Sequence, residues 1–547
     1  MNFLETIFQH MGQAATRPVL QEVRENRIVS TSGAELLSSI QTARAFLRKA
    51  GLKKGDRCVL LAHNSIRWAA LDLALMADGI LVVPLYARQA AGELVTIMKD
   101  CSPAFICCGD ESLSASIAQT WPSSPRLVLF DEVFAPAAGG LDDAPLGLSD
   151  SDPITIIYTS GTLGVAKGVV LTVGNVSHMA PCTTARLDAL MGAQSEPEQV
   201  FHYLPFCFAG SWILLLSCLS RHSTLTLSTD LTKLVEEMRL AAPQYFLNVP
   251  ALLERVRAGV EEQIQKKGGV AERLFDKGRT AWLRRRSGEA GVADRVWLAL
   301  ASALVFPTIR KRLGPNLKAL ICGSAPLAQE TQLFFTMLGL PVLQVYGLTE
   351  TTAICTMDYP GRVEPGRVGY AIPGTEMKLG ENEEIIGRGP HIFPGYWNRP
   401  QETAEVLRDG WFHTGDQGEV DATGNWRIIG RLKNLIILSS GHNIAPEPIE
   451  DALLRSLSGA QQVVLVGNNR SFLAALVTGS VSRKQVETAL VAVNAQLPHY
   501  KRIHAFQVLE EPFTIENGLL TANGKLKREA IAARLHAQIE QLYHKEA

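Results

Sequence analysis

Two short stretches, far apart in the chain, carry residues suited to phosphate chemistry. The first is Tyr158-Thr-Ser-Gly-Thr-Leu-Gly-Val-Ala-Lys-Gly-Val169, where Gly161, Gly164 and Gly168 alternate with the hydroxyls of Thr159, Ser160 and Thr162 and one cation, Lys167. Glycines let backbone N–H groups approach phosphate oxygens, hydroxyls add donors, and lysine adds charge. This is not a Walker A loop: Lys167 follows Ala166, precedes Gly168 rather than Ser or Thr, and leads into a strand. A Gly/Ser/Thr-rich hairpin that binds nothing is the competing reading. The second stretch, Thr521-Ala-Asn-Gly-Lys-Leu-Lys-Arg528, offers Lys525. Most lysines near a chain end are simply solvated, but this one, combined with the loop, suggests ATP chemistry completed by a second domain.

The elements that must position these residues follow from hydrophobic periodicity. Pro153–Tyr158 reads as a buried strand and Val169–Leu171 as the next, so the loop joins two strands. Upstream, a helix over Ala34–Leu47, a strand over Arg57–Ala62, a helix over Trp68–Ala77, a strand over Ile80–Pro84, a helix over Gly92–Lys99 and an apolar run Ala104–Cys108 alternate. Such alternation implies an α/β architecture with largely parallel strands. It recurs over Asp230–Val249 and Leu317–Tyr346, while Ala135–Asp152 reads as a loop. After Gly361 short strands and glycine turns take over, and a helix over Glu447–Leu457 and a strand over Gln462–Val466 open an α+β unit. The fold expected is a large N-terminal domain of layered α/β subdomains with a small β-rich subdomain, followed by a small α+β C-terminal domain. With the boundary at Gly430-Arg-Leu-Lys433, the domains are 1–432 and 433–547.

Composition narrows the class. A chain of 547 residues exceeds one hydrophobic core, and 46% hydrophobic with 20% charged residues fits a soluble globular protein. A formal charge of −1 gives no global field for nucleic acid. Nine cysteines without a CxxC pair argue against a zinc ribbon or disulfide scaffold and for a reducing cytosol. Met1-Asn-Phe-Leu-Glu-Thr6 lacks the plan of a signal peptide. The apolar stretches around Trp212–Leu216 and over Val296–Phe306 fall short of the ~20 residues a bilayer-spanning helix needs, and Trp68–Tyr86 is interrupted by Asp72, Asp78, Gly79 and Pro84. No transmembrane segment is expected. Lys266–Arg286 is basic and contains Trp282; it reads as a solvated face, with a peripheral membrane contact as the competing reading.

Further motifs extend the pattern: Cys322-Gly-Ser-Ala-Pro-Leu327, Tyr346-Gly-Leu-Thr-Glu350, Gly410-Trp-Phe-His-Thr-Gly-Asp416, Gly430-Arg-Leu-Lys433 and Asn523-Gly-Lys525. In this order, with the loop at 158–169, they resemble the adenylate-forming superfamily of acyl-CoA synthetases, peptide-synthetase adenylation domains and beetle luciferases. The resemblance runs from Gly51-Leu-Lys-Lys-Gly-Asp-Arg57 to Lys525, and Ser440-Gly-His-Asn-Ile-Ala-Pro-Glu-Pro-Ile-Glu450 is most like long-chain fatty acyl-CoA synthetases. It implies ATP and Mg2+, with coenzyme A as co-substrate. A carboxylate is already ionised at neutral pH, so the obstacle is bringing an anion to a polyanion, and catalysis means positioning plus positive charge.

By resemblance, Lys525 bridges the acyl carboxylate and the α-phosphate, Lys167 adds charge in the phosphate loop, and Glu350 holds magnesium with Thr159 as a second contact. The same resemblance makes Ser160, Gly161, Thr162 and Gly164 the phosphate cradle. It gives Gly323, Ser324, Ala325, Tyr346, Gly347 and Thr349 to the nucleotide, and Asp416 with Arg431 to the ribose. Lys433 is the implied hinge of a mobile C-terminal domain, and Gly441 with Phe208 and Trp212 the implied acyl and thiol tunnel. The residues alone also allow a first-turn glutamate at 350, a turn aspartate at 416, and core packing of Tyr346 and Trp212.

Three positions depart from the family pattern. Leu163 stands where a second threonine is usual, Ala166 where proline is frequent, and Phe208 where many relatives carry histidine. The expectation is an AMP-forming ligase that adenylates a medium- or long-chain fatty acid and passes the acyl group to coenzyme A. The alternatives are another acceptor, either a carrier-protein thiol or an internal hydroxyl closing a β-lactone, and a non-catalytic nucleotide-binding protein of the same fold. The expected location is cytoplasmic, with at most a peripheral contact at the inner membrane surface, and no nucleic-acid partner.

Overall fold

The computed structural model describes the chain except residues 137–143, 160–165, 522–523 and 545–547. It divides into two compact units: Met1–Glu376 with Gly387–Phe412 and Ala422–Trp426, and Met377–Ile386 with His413–Asp421 and Arg427–Ala547.

The first unit is built on two mixed sheets. The seven-stranded sheet has the order Gly395–Tyr396, Lys167–Thr172, Pro153–Thr159, Leu81–Leu85, Arg57–Leu61, Phe105–Cys108, Arg126–Leu129. From Pro153–Thr159 onward its strands are parallel, and the two at the other edge pair antiparallel. The nine-stranded sheet has a parallel middle: Val342–Tyr346, Leu320–Cys322, Tyr245–Asn248, Glu198–His202, Ser223–Leu227 and Pro18–Arg24. Antiparallel strands close both of its edges. The helix–strand alternation of the sequence thus becomes parallel sheet, while the hairpin Pro18–Arg24/Arg27–Ser32 at one edge does not follow from that alternation.

Two helices are apolar on every face and accordingly buried. Ile66–Ala77 is buried continuously from Trp68, and Ala209–Leu219 is nearly as enclosed. One polar contact joins them: Trp212 Nε1 donates to Asp72 Oδ2 at 2.9 Å. A further apolar stretch behaves differently. Val296–Phe306 lies in a longer helical run than its composition suggests, Val292–Leu304 followed by Phe306–Leu313. These 22 residues, with mean hydropathy 1.5 over an 18-residue window, are by length and composition enough to cross a membrane, and the window is only 22% buried.

The strands Glu384–Arg388, Trp411–Val420 and Trp426–Arg431, most of whose residues belong to the second unit, share a small sheet. A separate three-stranded sheet has the order Ala460–Val466, Leu473–Gly479, Ile503–Leu509. Alternation sends Val463 and Leu465 to one face, against the helices Glu447–Arg455 and Arg483–Asn494, and Val464 to the other, against Phe513, Ile531 and Leu542.

The Asp72 contact has a consequence for stability. Burial raises the Asp72 carboxyl from 3.8 to about 7, against the opposing hydrogen bond from Trp212. Between those values the unfolded chain holds fewer protons than the folded one, so this group's contribution falls as pH rises and levels off above about 7. Asp72→Asn keeps an acceptor for Trp212 and removes the titration. From about pH 4.5 to about pH 8, the unfolding free energy of Asp72→Asn should improve relative to the parent, with a ceiling of roughly 3 kcal/mol. Urea titrations at the two pH values measure this, and parallel behaviour of the two proteins would refute it.

Candidate active site

The glycine-rich loop leaves one strand and enters its antiparallel neighbour, so that Thr159 stands opposite Lys167 in register. Lys167 is therefore the first residue of a strand, two positions earlier than the apolar pattern indicates. Ser160, Gly161, Thr162 and Gly164, with Leu163, lie outside the described residues. The strand Lys167–Thr172 pairs on its other side with Gly395–Tyr396, Tyr396 opposite Val169, and Trp397 N–H donates to the Gly168 carbonyl at 2.7 Å. A Cβ on Gly168 would sit 2.7 Å from Ile156 Cγ2 and 3.0 Å from Tyr158 Cζ, so the close approach there requires glycine.

This second pairing brings two expected residues to one aromatic ring. Lys167 Nζ lies 5.1 Å from the centre of the Tyr396 ring, and Tyr396 Oη donates to Glu350 Oε1 at 2.9 Å. Phe393 packs edge-on against Tyr396 at 4.8 Å, and its N–H donates to the Glu350 carbonyl at 2.9 Å. Sequence reasoning missed Tyr396. Its setting, Phe393-Pro-Gly-Tyr396, carries no charge or periodicity that singles it out. Asp100 secures the same edge: it accepts from Tyr158 Oη at 2.6 Å and pairs with Arg399.

Glu350 sits in the short 3-10 turn Thr349–Thr351, just past the carboxyl end of Val342–Tyr346. Gly347 is fixed by the returning chain: a Cβ there would lie 2.3 Å from the Ala353 carbonyl oxygen. Thr352 and Ala353 take φ of 51° and 81°, and Thr352 Oγ1 donates to the His391 carbonyl at 2.7 Å. His391 is buried, which lowers its pKa to about 4 and leaves it neutral at pH 7. Gly323, Ser324 and Ala325 follow the strand Leu320–Cys322, a parallel neighbour of the strand ending at Tyr346. They share its carboxyl edge, where ligands of open α/β sheets bind. Ser324 is exposed with φ of 72°.

A single carboxylate at 350 and the hydroxyl of Thr159 are hard oxygen donors. Among the described residues no group of three or more His, Cys, Asp or Glu side chains could hold a metal. Magnesium bound mainly by nucleotide phosphates needs only one or two protein carboxylates, so Glu350 fits that ion. Phe208 caps the helix Ala209–Leu219 and packs 5.8 Å from the Tyr86 ring. Trp212 is buried, bonded to Asp72, in the surroundings of a core tryptophan.

The remaining expected residues belong to the second unit. Asp416 is buried and pairs with Arg431 at 2.6 Å. Burial holds the Lys433 ammonium below its ordinary range; Arg431 acts the same way, Asp416 and Glu529 oppose, and Lys525 adds to the lowering. Asp416, Arg431 and Lys525 are thus electrostatic neighbours of Lys433. Lys525 is exposed and closes a turn, its N–H donating to Thr521 Oγ1 at 3.0 Å. Gly441 lies in the turn between the paired strands Ile436–Ile437 and Asn443–Ile444, with φ of 83°.

Behind Lys525, Arg528 grips the buried Glu450, Nη1 donating to Oε1 at 2.7 Å, and Glu450 also accepts from Leu465 N–H at 2.6 Å. Arg528 lies 3.7 Å from Glu447, which accepts from Asn434 Nδ2 at 2.6 Å. The segment after Lys525 and the segment after Lys433 are therefore tied to one helix, Glu447–Arg455. Burial raises the Glu450 pKa and Arg528 opposes that, so Arg528→Ala would leave the carboxyl buried without its cation and should lower the stability of this unit by ~3 kcal/mol, with Glu450→Gln restoring part of the loss. Urea unfolding of the two variants checks this; an unchanged midpoint for Arg528→Ala would refute it.

The chain is similar to known proteins along its whole length. The long-chain-fatty-acid–CoA ligase FadD15 of Mycobacterium bovis is 27% identical, over 100% of this chain and 97% of its own. A chloroplastic long-chain-fatty-acid–[acyl-carrier-protein] ligase of Arabidopsis thaliana, AEE15, is 27% identical over 91% and 80%. The solved O-succinylbenzoate coenzyme A synthetase of Bacillus subtilis with ATP and magnesium superposes with a TM-score of 0.72 at 20% identity, covering 96% of this chain and 98% of that one, which shows the shared fold. Residues 8–397 match the AMP-binding enzyme family and 433–547 the AMP-binding enzyme C-terminal domain, so this chain belongs to the AMP-binding enzyme family.

Proposed function

We propose that this chain is an AMP-forming acyl-CoA ligase acting on a medium- or long-chain fatty acid. The observation that carries the reading is the Lys167–Tyr396–Glu350 cluster beside the glycine-rich loop: a cation for phosphate and a hard carboxylate oxygen for magnesium, brought together by the Tyr396 side chain. Full-length similarity to a protein named as a long-chain-fatty-acid–CoA ligase supports the substrate class.

In the first half-reaction a carboxylate oxygen attacks the α-phosphorus of ATP and pyrophosphate leaves. In the second, the sulfur of coenzyme A attacks the acyl carbon, its proton is lost, and AMP leaves. Lys525 neutralises charge at the carboxylate and α-phosphate, Asp416 and Arg431 hold the ribose, and Glu350 with Thr159 would hold magnesium, which would supply charge opposite the phosphates. A carrier-protein thiol as acceptor is the second reading, favoured by the chloroplastic relative's name.

With ATP, magnesium and a panel of fatty acids, AMP release together with acyl-CoA formation should depend on coenzyme A. Acyl-AMP that coenzyme A leaves untouched would move the acceptor to a carrier protein, and no adenylation of any acid would refute the reading. Lys525→Ala should slow acyl-AMP formation by about 10²–10³-fold while ATP binding persists; near-parental adenylation would remove Lys525 from the chemistry. Phe208→His should alter acyl or acceptor preference, and an unchanged profile would return Phe208 to a packing role.

A further inference from the structure

The helix Val292–Leu304 turns its apolar side outward. Its inner side is already used: Leu298 and Ala301 are buried against the helix Gly269–Arg286, so tightly that a Cβ on Gly278 would fall 2.3 Å from Ala301 Cβ. Phe306 and Ile309 continue that packing in the next helix, Phe306 edge-on to Phe275 at 6.4 Å. On the outer side, Val292, Val296, Leu300 and Leu304 recur every fourth residue, which makes one continuous stripe, and Trp297 widens it. Val292 is 77% exposed, Val296 54% and Leu304 60%. Single exposed apolar residues are common, but a stripe of five along one helix marks a surface made for an apolar neighbour.

Charge says which neighbour. From Lys266 to Arg312 there are twelve Lys and Arg against four Asp and Glu, a surplus of eight in a chain whose formal charge is −1. Triplets of cations mark both ends of the stripe. Arg284, Arg285 and Arg286 close the preceding helix, Arg284 lying 3.6 Å from Asp294 near the start of the stripe, and Arg310, Lys311 and Arg312 close the following helix. An apolar helix face bordered by cations is the pattern of a helix lying in the headgroup region of a membrane with anionic lipids. A helix of 13 residues is ~20 Å long, short of a ~30 Å hydrocarbon core. The longer run to Leu313 is held to the protein through Leu298, Ala301, Phe306 and Ile309 and carries three consecutive cations. Such a run suits the surface of a membrane and not its interior.

We infer that the outward face of Val292–Leu304, with the flanking triplets Arg284–Arg286 and Arg310–Arg312, is a docking surface for an anionic lipid bilayer. This rests on the surface alone and stands apart from the reading of the active site. Flotation of the full chain with phosphatidylcholine vesicles, with and without phosphatidylglycerol, tests it. The parent should float with the phosphatidylglycerol vesicles and less so as salt is raised. Val296→Glu/Leu300→Glu/Leu304→Glu, confined to exposed side chains, should lose at least about tenfold in partition. Arg285→Gln/Arg286→Gln/Lys311→Gln/Arg312→Gln should lose the preference for the anionic lipid. As a measure independent of the glutamate variant's folding, lipids brominated in their acyl chains should quench a part of the tryptophan emission that Trp297→Phe removes. A parent that floats with neither vesicle, a glutamate variant that floats as well as the parent, or quenching unaffected by Trp297→Phe would overturn the inference. Dissociation of a parent dimer by the glutamate substitutions, without vesicle binding, would assign the face to a second copy of the chain.

Discussion

The strand Lys167–Thr172 is shared by two antiparallel partners, and the arrangement around Glu350 depends on that double register. Pairing with Pro153–Thr159 fixes where the glycine-rich loop begins and ends; pairing with Gly395–Tyr396 brings an aromatic ring under Lys167 and a hydroxyl to Glu350. Side chains alternate faces along a strand, so a one-residue slip in either pairing would send Lys167 or Tyr396 to the opposite side. Gly168 lets both neighbours close in, and Asp100, holding Tyr158 and Arg399 together, pins the two outer strands to one another.

The second unit solves a related problem by other means. Its cations are held by partly or wholly buried carboxylates: Arg431 by Asp416 and Arg528 by Glu450. Lys433 stands near the first of these pairs and within electrostatic reach of Lys525, and burial and like charge already disfavour a protonated amine at 433. An anion arriving there would relieve repulsion as well as form contacts, a physical reason for such a cluster to favour phosphate or carboxylate. Because Glu447 and Glu450 belong to one helix, the segments carrying Lys433 and Lys525 share a rigid backing.

Much of this was legible in the sequence. The strands flanking the loop are short apolar runs, and buried strands read clearly as such; the helix over Ala34–Leu47 appears as Gly33–Lys49, and that over Glu447–Leu457 as Glu447–Arg455. Hidden from it was whatever depends on a distant partner. Tyr396 reaches Glu350 across 46 residues, Glu450 meets Arg528 across 78 and Trp212 meets Asp72 across 140. Asp72 read only as an interruption of an apolar stretch, because nothing local says that an indole N–H will reach it. In Val292–Leu304 the periodicity was present, but which face would be covered depended on Gly278 and Phe275, in another helix.

A sum near zero conceals how unevenly the charge is spread. With eight excess positive charges between Lys266 and Arg312, the rest of the chain carries nine excess negative ones. The small net charge is thus a near-cancellation between one strongly cationic segment and an acidic remainder. Far from a charged surface the counterions screen its field, and neither part of the chain feels it. Within about a Debye length, ~8 Å at physiological salt, the field gradient acts on the near face first and attraction begins. Ionic strength would then set how close the molecule must come before it turns, and an ion exchanger of either sign could retain it at a pH where its formal charge is almost nil.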